Sequence, residues 1–273
     1  MTAPTLAAAP AAIEPYWTGP DATLYQGDTL AILPTLAPGS LDAVIADPPY
    51  SSGGVSTAER KKSTRVKYVS GSAGDIKHEN PDFPGDMRDQ RSWTYWSTLW
   101  MSQALQATKP GGSILVFTDW RQLPSTSDAI QAAGWTWRGV VAWVKPRGRS
   151  RPIRGGFWNQ AEYVVWGVNG SLQKEYEVYL PGVIEARAPI GAQRVHQTEK
   201  PVDPLLTTLA RVAPPGGVVL DPFTGSGSTG VACQREGRQF VGIELTPHYA
   251  KVAADRLAAG PLALADEGEG SQP

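Results

Sequence analysis

A chain of 273 residues, 41% hydrophobic and 19% charged, has material for one large globular domain, or at most a domain plus insertions. A formal net charge of −1 argues against a protein that coats nucleic acid non-specifically, and the single Cys233 excludes an internal disulfide or a Cys-rich zinc site, with three scattered histidines supplying no metal site in its place. The opening "MTAPTLAAAPAAIEP" has no basic leader, and no apolar run approaches the roughly 20 residues of a membrane span, so a soluble, cytoplasmic protein is expected.

In chain order, "LDAVIAD" (41–47) is the first apolar run and reads as a buried strand. "SWTYWSTLWMSQALQATK" (92–109) reads as a helix stopped by "PGG", ahead of a strand at "GSILVFTD" (112–119). "STSDAIQAAG" (125–134) is a helix, and "RGVVAWVK" (138–145) and "AEYVVWGV" (161–168) are strands. "DPLLTTLARVA" (203–213) is a helix before the strand "GVVLD" (217–221). "FVGIE" (240–244) is a strand followed by a Thr-capped, Pro-started helix over 246–260. Runs this apolar predict strands buried on both faces, and their alternation with helices predicts a doubly wound, mostly parallel α/β sheet with helices on both faces. Most of the ten Trp and nine Tyr are expected in the core.

Two strand tips carry chemistry. "DPPY" (47–50) ends the first strand in an acid, two prolines and a ring; taken alone it is equally well a simple turn. Its chemical use concerns an exocyclic amino group, whose lone pair is delocalised into the base. Two acceptors, the Asp47 carboxylate and the Pro48 carbonyl, would favour a pyramidal nitrogen and aim its lone pair at a methyl donor. The prolines hold the backbone in that shape at little entropic cost, and Tyr50 offers a stacking face for a flipped base. No strong general base is needed, because the methylated nitrogen is acidic.

The second tip is "DPFTGSGSTG" (221–230). Gly225, Gly227 and Gly230 fit G-x-G-x-x-G, with Glu244 standing 17 residues beyond Gly227, so spacing alone also fits a dinucleotide fold. Asp221 at the tip disfavours a diphosphate and suits a ligand with a positive centre and an ammonium group, as in S-adenosylmethionine. Glu244 is placed for a ribose diol. An NAD-dependent dehydrogenase would leave "DPPY" unexplained.

Together these pieces resemble the S-adenosylmethionine-dependent DNA amino methyltransferases, in the permuted group whose catalytic motif precedes the cofactor motif. The resemblance rests on "GDTLAILPTLAPGSLDAVIADPPY", "KPGGSILVFTDW", "GWTWRGVVAWVKP", "HQTEKPVDPLL", "DPFTGSGSTGVAC" and "GIELTPHYAKVAADRL". It implies a circularly permuted, Rossmann-like methyltransferase fold. The implied catalytic residues are Asp47, Pro48, Pro49 and Tyr50. Asp28, Asp47, Thr198, Lys200, Asp221, Phe223, Thr224, Gly225, Gly227, Ser228 and Glu244 are implied for the cofactor, Asp28 near its adenine and Thr198 and Lys200 over its methionine end. An acid at the head of "DPPY" favours adenine N6 as target, with cytosine N4 as the alternative and a non-catalytic DNA-binding module as the further one.

The family often carries a sizeable recognition region before "HQTEKP", and here about 25 residues are available. DNA contact is therefore expected from an insertion at about 51–91, through Lys61, Lys62, Arg65 and Lys67. A short recognition segment at about 147–195 would add Arg147, Arg149, Arg151 and Arg154. These belong to a single domain over 15–260, with flexible ends at 1–14 and 261–273. Double-stranded DNA is the expected partner. The enzymes it resembles often pair, so a homodimer is a second expectation, and neither recognition sequence nor partner endonuclease is legible.

Overall fold

The structure is a computed structural model that describes residues 13–50, 88–146, 155–172, 176–187 and 199–263. Nine strands form one sheet: β1 (Trp17–Thr18), β2 (Ala22–Gln26), β3 (Leu41–Ala46), β4 (Thr108–Thr118), β5 (Thr136–Val144), β6 (Ala161–Val168), β7 (Val183–Glu185), β8 (Val218–Asp221) and β9 (Gln239–Glu244). Their order is β1-β2-β9-β8-β3-β4-β6-β5-β7, and only β1 and β6 run against the rest. The helices are α1 (Thr29–Ile32), α2 (Gln90–Ala107), α3 (Leu123–Ala132), α4 (Thr207–Ala210), α5 (Ser228–Arg235) and α6 (Pro247–Ala263). α2 packs with α1 and α3, while α5 packs with α4 and α6, two groups that complete the doubly wound α/β class. No helix among the described residues is long and apolar enough to cross a membrane.

The central strands are as apolar as their sequences require, with Ala43, Val44, Ile45 and Ala46 of β3 and Val219 and Leu220 of β8 buried. β5 departs from that expectation. Only Trp143 of β5 is fully covered, because the strand lies beside the short edge strand β7 and pairs antiparallel with β6. The "PGG" read as a stop lies inside β4: Leu41 pairs with Thr108 but Ala43 with Ser113, so the intervening residues of β4 form a bulge rather than a loop. α2 starts two residues earlier than the Ser92 reading because Asp89 caps it, accepting from the Arg91 and Ser92 amides at 3.0 and 2.9 Å. Residues 90 and 91, assigned above to the insertion, are therefore helix. β6 and β7, inside the segment assigned to recognition, are sheet strands.

β2 was not anticipated: "ATLYQ" is short, and it joins the sheet only by pairing with β9, Ala22 opposite Phe240 and Gln26 opposite Glu244. Four of the ten tryptophans, Trp93, Trp100, Trp135 and Trp143, are buried, and those of α2 fill the core rather than an outer face.

The topology places the site. The chain goes from β3 to its neighbour β4 on one side and from β8 to its neighbour β9 on the other, while β3 and β8 pair directly, Ala43 with Val219 and Val44 with Leu220. The order therefore reverses between β3 and β8, and ligands of open α/β sheets bind beyond the carboxyl ends at such a point.

Candidate active site

Each of the five adjacent parallel strands delivers an acid at its carboxyl end: Asp28 after β2, Glu244 on β9, Asp221 on β8, Asp47 after β3 and Asp119 after β4. Asp119 is occupied structurally, accepting from the Arg121 and Gln122 amides at 2.9 and 3.0 Å and from the Arg121 guanidinium. The other four are residues singled out from the sequence, and the fold brings them to one rim.

At the acceptor end, Asp47 and Asp221 lie close enough for each other's charge to matter. Asp47 Oδ2 accepts from Lys200 Nζ at 2.7 Å, whereas its Oδ1 is buried with no hydrogen-bond partner among the described residues. A buried carboxylate oxygen without a donor is costly, and at a strand tip on this rim a ligand's N–H would satisfy it. Burial raises the Asp47 carboxyl above the ordinary carboxylate range, opposed by Lys200. Burial would also lower the Lys200 ammonium, but Asp47 and Glu162 outweigh it and hold that group above its usual range. Lys200, expected over the methionine end of the cofactor, is paired with Asp47.

The two proline carbonyls differ in their partners. Trp93 Nε1 donates to the Pro49 carbonyl at 2.9 Å, while no described residue donates to the Pro48 carbonyl, which remains an acceptor. Tyr50 is buried, its hydroxyl donating to Glu162 Oε2 at 3.2 Å and its ring lying 5.7 Å from Lys200 Nζ.

At the other end, Asp221 Oδ1 accepts from the Phe223 amide at 2.9 Å. Burial pushes the Asp221 carboxyl up to about 7 against bonds from Thr229 and that amide. The glycine loop needs its glycines. Gly227 has φ +86° and packs against α6, where a Cβ would lie 3.2 Å from Ala253 Cα; at Gly230 a Cβ would come within 2.7 Å of Leu257 and 2.8 Å of Phe240. Glu244 accepts from the Gly225 amide at 2.9 Å and from the Thr246 amide and hydroxyl at 2.8 and 2.7 Å. Oε1 thus takes two donors and Oε2 one, which leaves one accepting position, on Oε2, for a ribose hydroxyl. Asp28 caps α1 through the Leu30 amide at 2.8 Å and is exposed at the tip next to Glu244.

Three expected loop residues are committed to the protein itself. The Phe223 ring packs on Trp96 and Trp100 at 5.3 and 5.2 Å, and Thr224 Oγ1 donates to the Asp221 carbonyl at 3.0 Å. Ser228 Oγ donates to Glu199 Oε1 at 3.1 Å. Glu199 also pairs with Arg256 at 2.9 Å, and Arg256 reaches Ser226, so "TEKP" is clasped to the glycine loop by a residue not singled out above.

Glu162 and Lys145 were missed as well, although an acid inside the apolar run "AEYVVWGV" was a visible signal. Thr198, Lys61, Lys62, Arg65, Lys67, Arg147, Arg149, Arg151 and Arg154 lie outside the described residues.

The chain is similar to known proteins over most of its length. Type II methyltransferase M2.DpnII of Streptococcus pneumoniae is 27% identical over 267 residues, spanning 90% of this chain and 93% of its own. Two solved structures share the fold: M1.HpyAVI in complex with SAM (TM-score 0.61, 23% identity, 86% of this chain and 98% of that one) and the cytosine-N4-specific PvuII DNA methyltransferase (TM-score 0.64, 19% identity, 89% and 88%). A family model described as DNA methylase matches residues 41–180 and 173–255, a span that contains both strand-tip motifs, and the chain belongs to that N6/N4 DNA methylase family.

Proposed function

We propose that this chain transfers a methyl group from S-adenosylmethionine to the exocyclic N6 of an adenine flipped out of double-stranded DNA. The observation that carries the reading is the buried Asp47 Oδ1, without a hydrogen-bond partner among the described residues, beside the donor-side Asp221. Asp47 Oδ1 and the Pro48 carbonyl would each accept one hydrogen of the amino group, leaving its lone pair directed towards β8. Tyr50 would hold the base by stacking, as flipped bases are held.

The residues at the donor side fit a cationic cofactor. The acids at the four tips complement a sulfonium and an ammonium, and Glu244 Oε2 retains an accepting position for a ribose hydroxyl. S-adenosylmethionine supplies an electrophilic methyl on a positively charged sulfur. The chain's own residues orient the amine and accept its hydrogens, and the acidic product nitrogen loses its proton without a dedicated base.

DNA contact belongs to the same proposal. The insertion starts at residue 51, directly after Tyr50. The arginines of 147–154 fall in the β5–β6 connection, which is closed by Lys145 N donating to the Gln160 carbonyl at 2.8 Å, beside the site. Phosphate-directed Lys and Arg on both connections would position the duplex.

Cytosine N4 is the second reading, favoured by the fact that two acceptors serve any exocyclic amine next to a ring nitrogen. Incubation with unmodified DNA and labelled S-adenosylmethionine, followed by digestion and mass spectrometry, distinguishes them: labelled N6-methyladenine is expected. Labelled N4-methylcytosine overturns the base assignment, and an unlabelled nucleoside pool overturns the reading. Tyr50→Ala is expected to lower turnover at least tenfold more than it lowers cofactor affinity, by comparing single-turnover rates with calorimetric titration. Equal loss of both makes the ring a structural element.

A further inference from the structure

Glu162 stands on β6, away from the row of acids at the parallel strand tips, with its side chain 20% exposed. It ion-pairs with Lys145 through Oε1, accepts from the Tyr50 hydroxyl at 3.2 Å through Oε2 and lies 3.9 Å from Lys200 Nζ. Burial would raise its carboxyl, yet Lys200 and Lys145 hold it below the ordinary range, so it is charged. A buried ion-pair network is weak evidence for stability, since apolar side chains of similar volume do as well or better. Its value must lie in what it arranges.

Among the described residues the network holds two ammonium groups and two carboxylates, and one carboxylate oxygen, Asp47 Oδ1, is left open. The Lys145 charge already acts on Asp47. Without a carboxylate at 162, Asp47 is the acid of this network left facing the Lys145 charge, and its open oxygen is the one the amine requires.

We infer that Glu162 is a positioning residue that sequesters Lys145 and thereby keeps Asp47 Oδ1 available to the substrate amine. This rests on the methyl-transfer reading above. It requires no proton movement, and it assigns to Lys145 an inhibitory tendency that its partner suppresses.

The test is a rescue. Glu162→Gln keeps an acceptor for the Tyr50 hydroxyl while removing the charge. It is expected to lower kcat for DNA methylation at least tenfold, with the dissociation constant for S-adenosylmethionine within about threefold of the wild type. Adding Lys145→Met removes the ammonium that would cap Asp47, and the double variant is expected to recover to within about tenfold of wild type and above the single variant. A double variant no more active than Glu162→Gln overturns the inference, as does a single variant with wild-type turnover. Should Glu162→Gln not fold, as judged by thermal melting and cofactor titration, the double variant carries the test alone. Transfer within about tenfold of wild type supports the inference, and a hundredfold loss with cofactor binding retained overturns it. Wild-type protein assayed alongside separates these results from failure of the underlying reading, which would appear as no transfer by the wild type itself.

Discussion

An Asp47→Asn variant is expected to bind cofactor and to transfer methyl groups at least about 1,000-fold more slowly than the wild type. The substitution is isosteric, but the two oxygens of Asp47 have different neighbours. Lys200 Nζ lies 2.7 Å from Oδ2 and, with three donor hydrogens and no acceptor capacity, demands an oxygen there. The amide is therefore oriented by Lys200 with its carbonyl inward and its NH2 at the position of Oδ1. The group that should accept a hydrogen from the substrate amine becomes a donor facing another donor.

Loss of one preorganised bond of this type costs about 100- to 1,000-fold, and the repulsion adds to it. The decisive comparison is single-turnover methylation against S-adenosylmethionine titration. A rate within tenfold of wild type would remove Asp47 from the chemistry. A matching loss of rate and cofactor affinity would mean that it serves binding alone.

Asp221→Asn has the opposite signature, a more stable apoprotein that no longer holds its cofactor. Burial raises the Asp221 carboxyl from 3.8 to about 7 in the folded state. A raised carboxyl binds more protons folded than unfolded between those values, so its contribution to stability is full below about 4 and declines as pH rises towards 7. Well above pH 7 the ionised, desolvated carboxylate destabilises the empty protein by on the order of 4 kcal/mol. Asparagine does not ionise and keeps an oxygen for the Phe223 amide. The variant is thus expected to melt several degrees higher at pH 8 and to match the wild type near pH 4.

The same charge is what a cationic ligand selects. Wild-type affinity for S-adenosylmethionine is expected to strengthen as pH rises from 6 to 8 and Asp221 ionises. In the variant it is expected to be about 100-fold weaker at pH 8 and flat across that range. Calorimetric titration at three pH values, with melting curves in the same buffers, checks both halves. A pH-independent wild-type affinity would show that the ligand does not meet this carboxylate.

Both variants act on motifs visible without coordinates. "DPPY" and "DPFTGSGSTG" are short-range statements: a buried apolar strand, an acid at its tip, and then residues whose backbone geometry admits few alternatives. The same is true of the helix stops, the Thr cap of the last helix and the alternation that identifies a doubly wound sheet. Local sterics and burial determine these features, so the residues themselves carry them.

What the tertiary structure decided is which side chains meet. β2 is a strand only because β9, more than 200 residues later, offers an edge. Lys200 sits on Asp47, 153 positions away, and Tyr50 on Glu162, 112 positions away. Glu199 is committed to Arg256 and the glycine loop. Trp93 looked like core filler, and it is, yet its indole nitrogen also holds the Pro49 carbonyl. None of these pairings has a periodicity or spacing, because they arise from strand order and from the need of buried charges and donors to find partners wherever the fold brings them. The sequence by itself determined that each of these strands ends in an acid; the order of the strands decided that the tips share one rim and that, among the described residues, Asp47 Oδ1 is a buried carboxylate oxygen left open there.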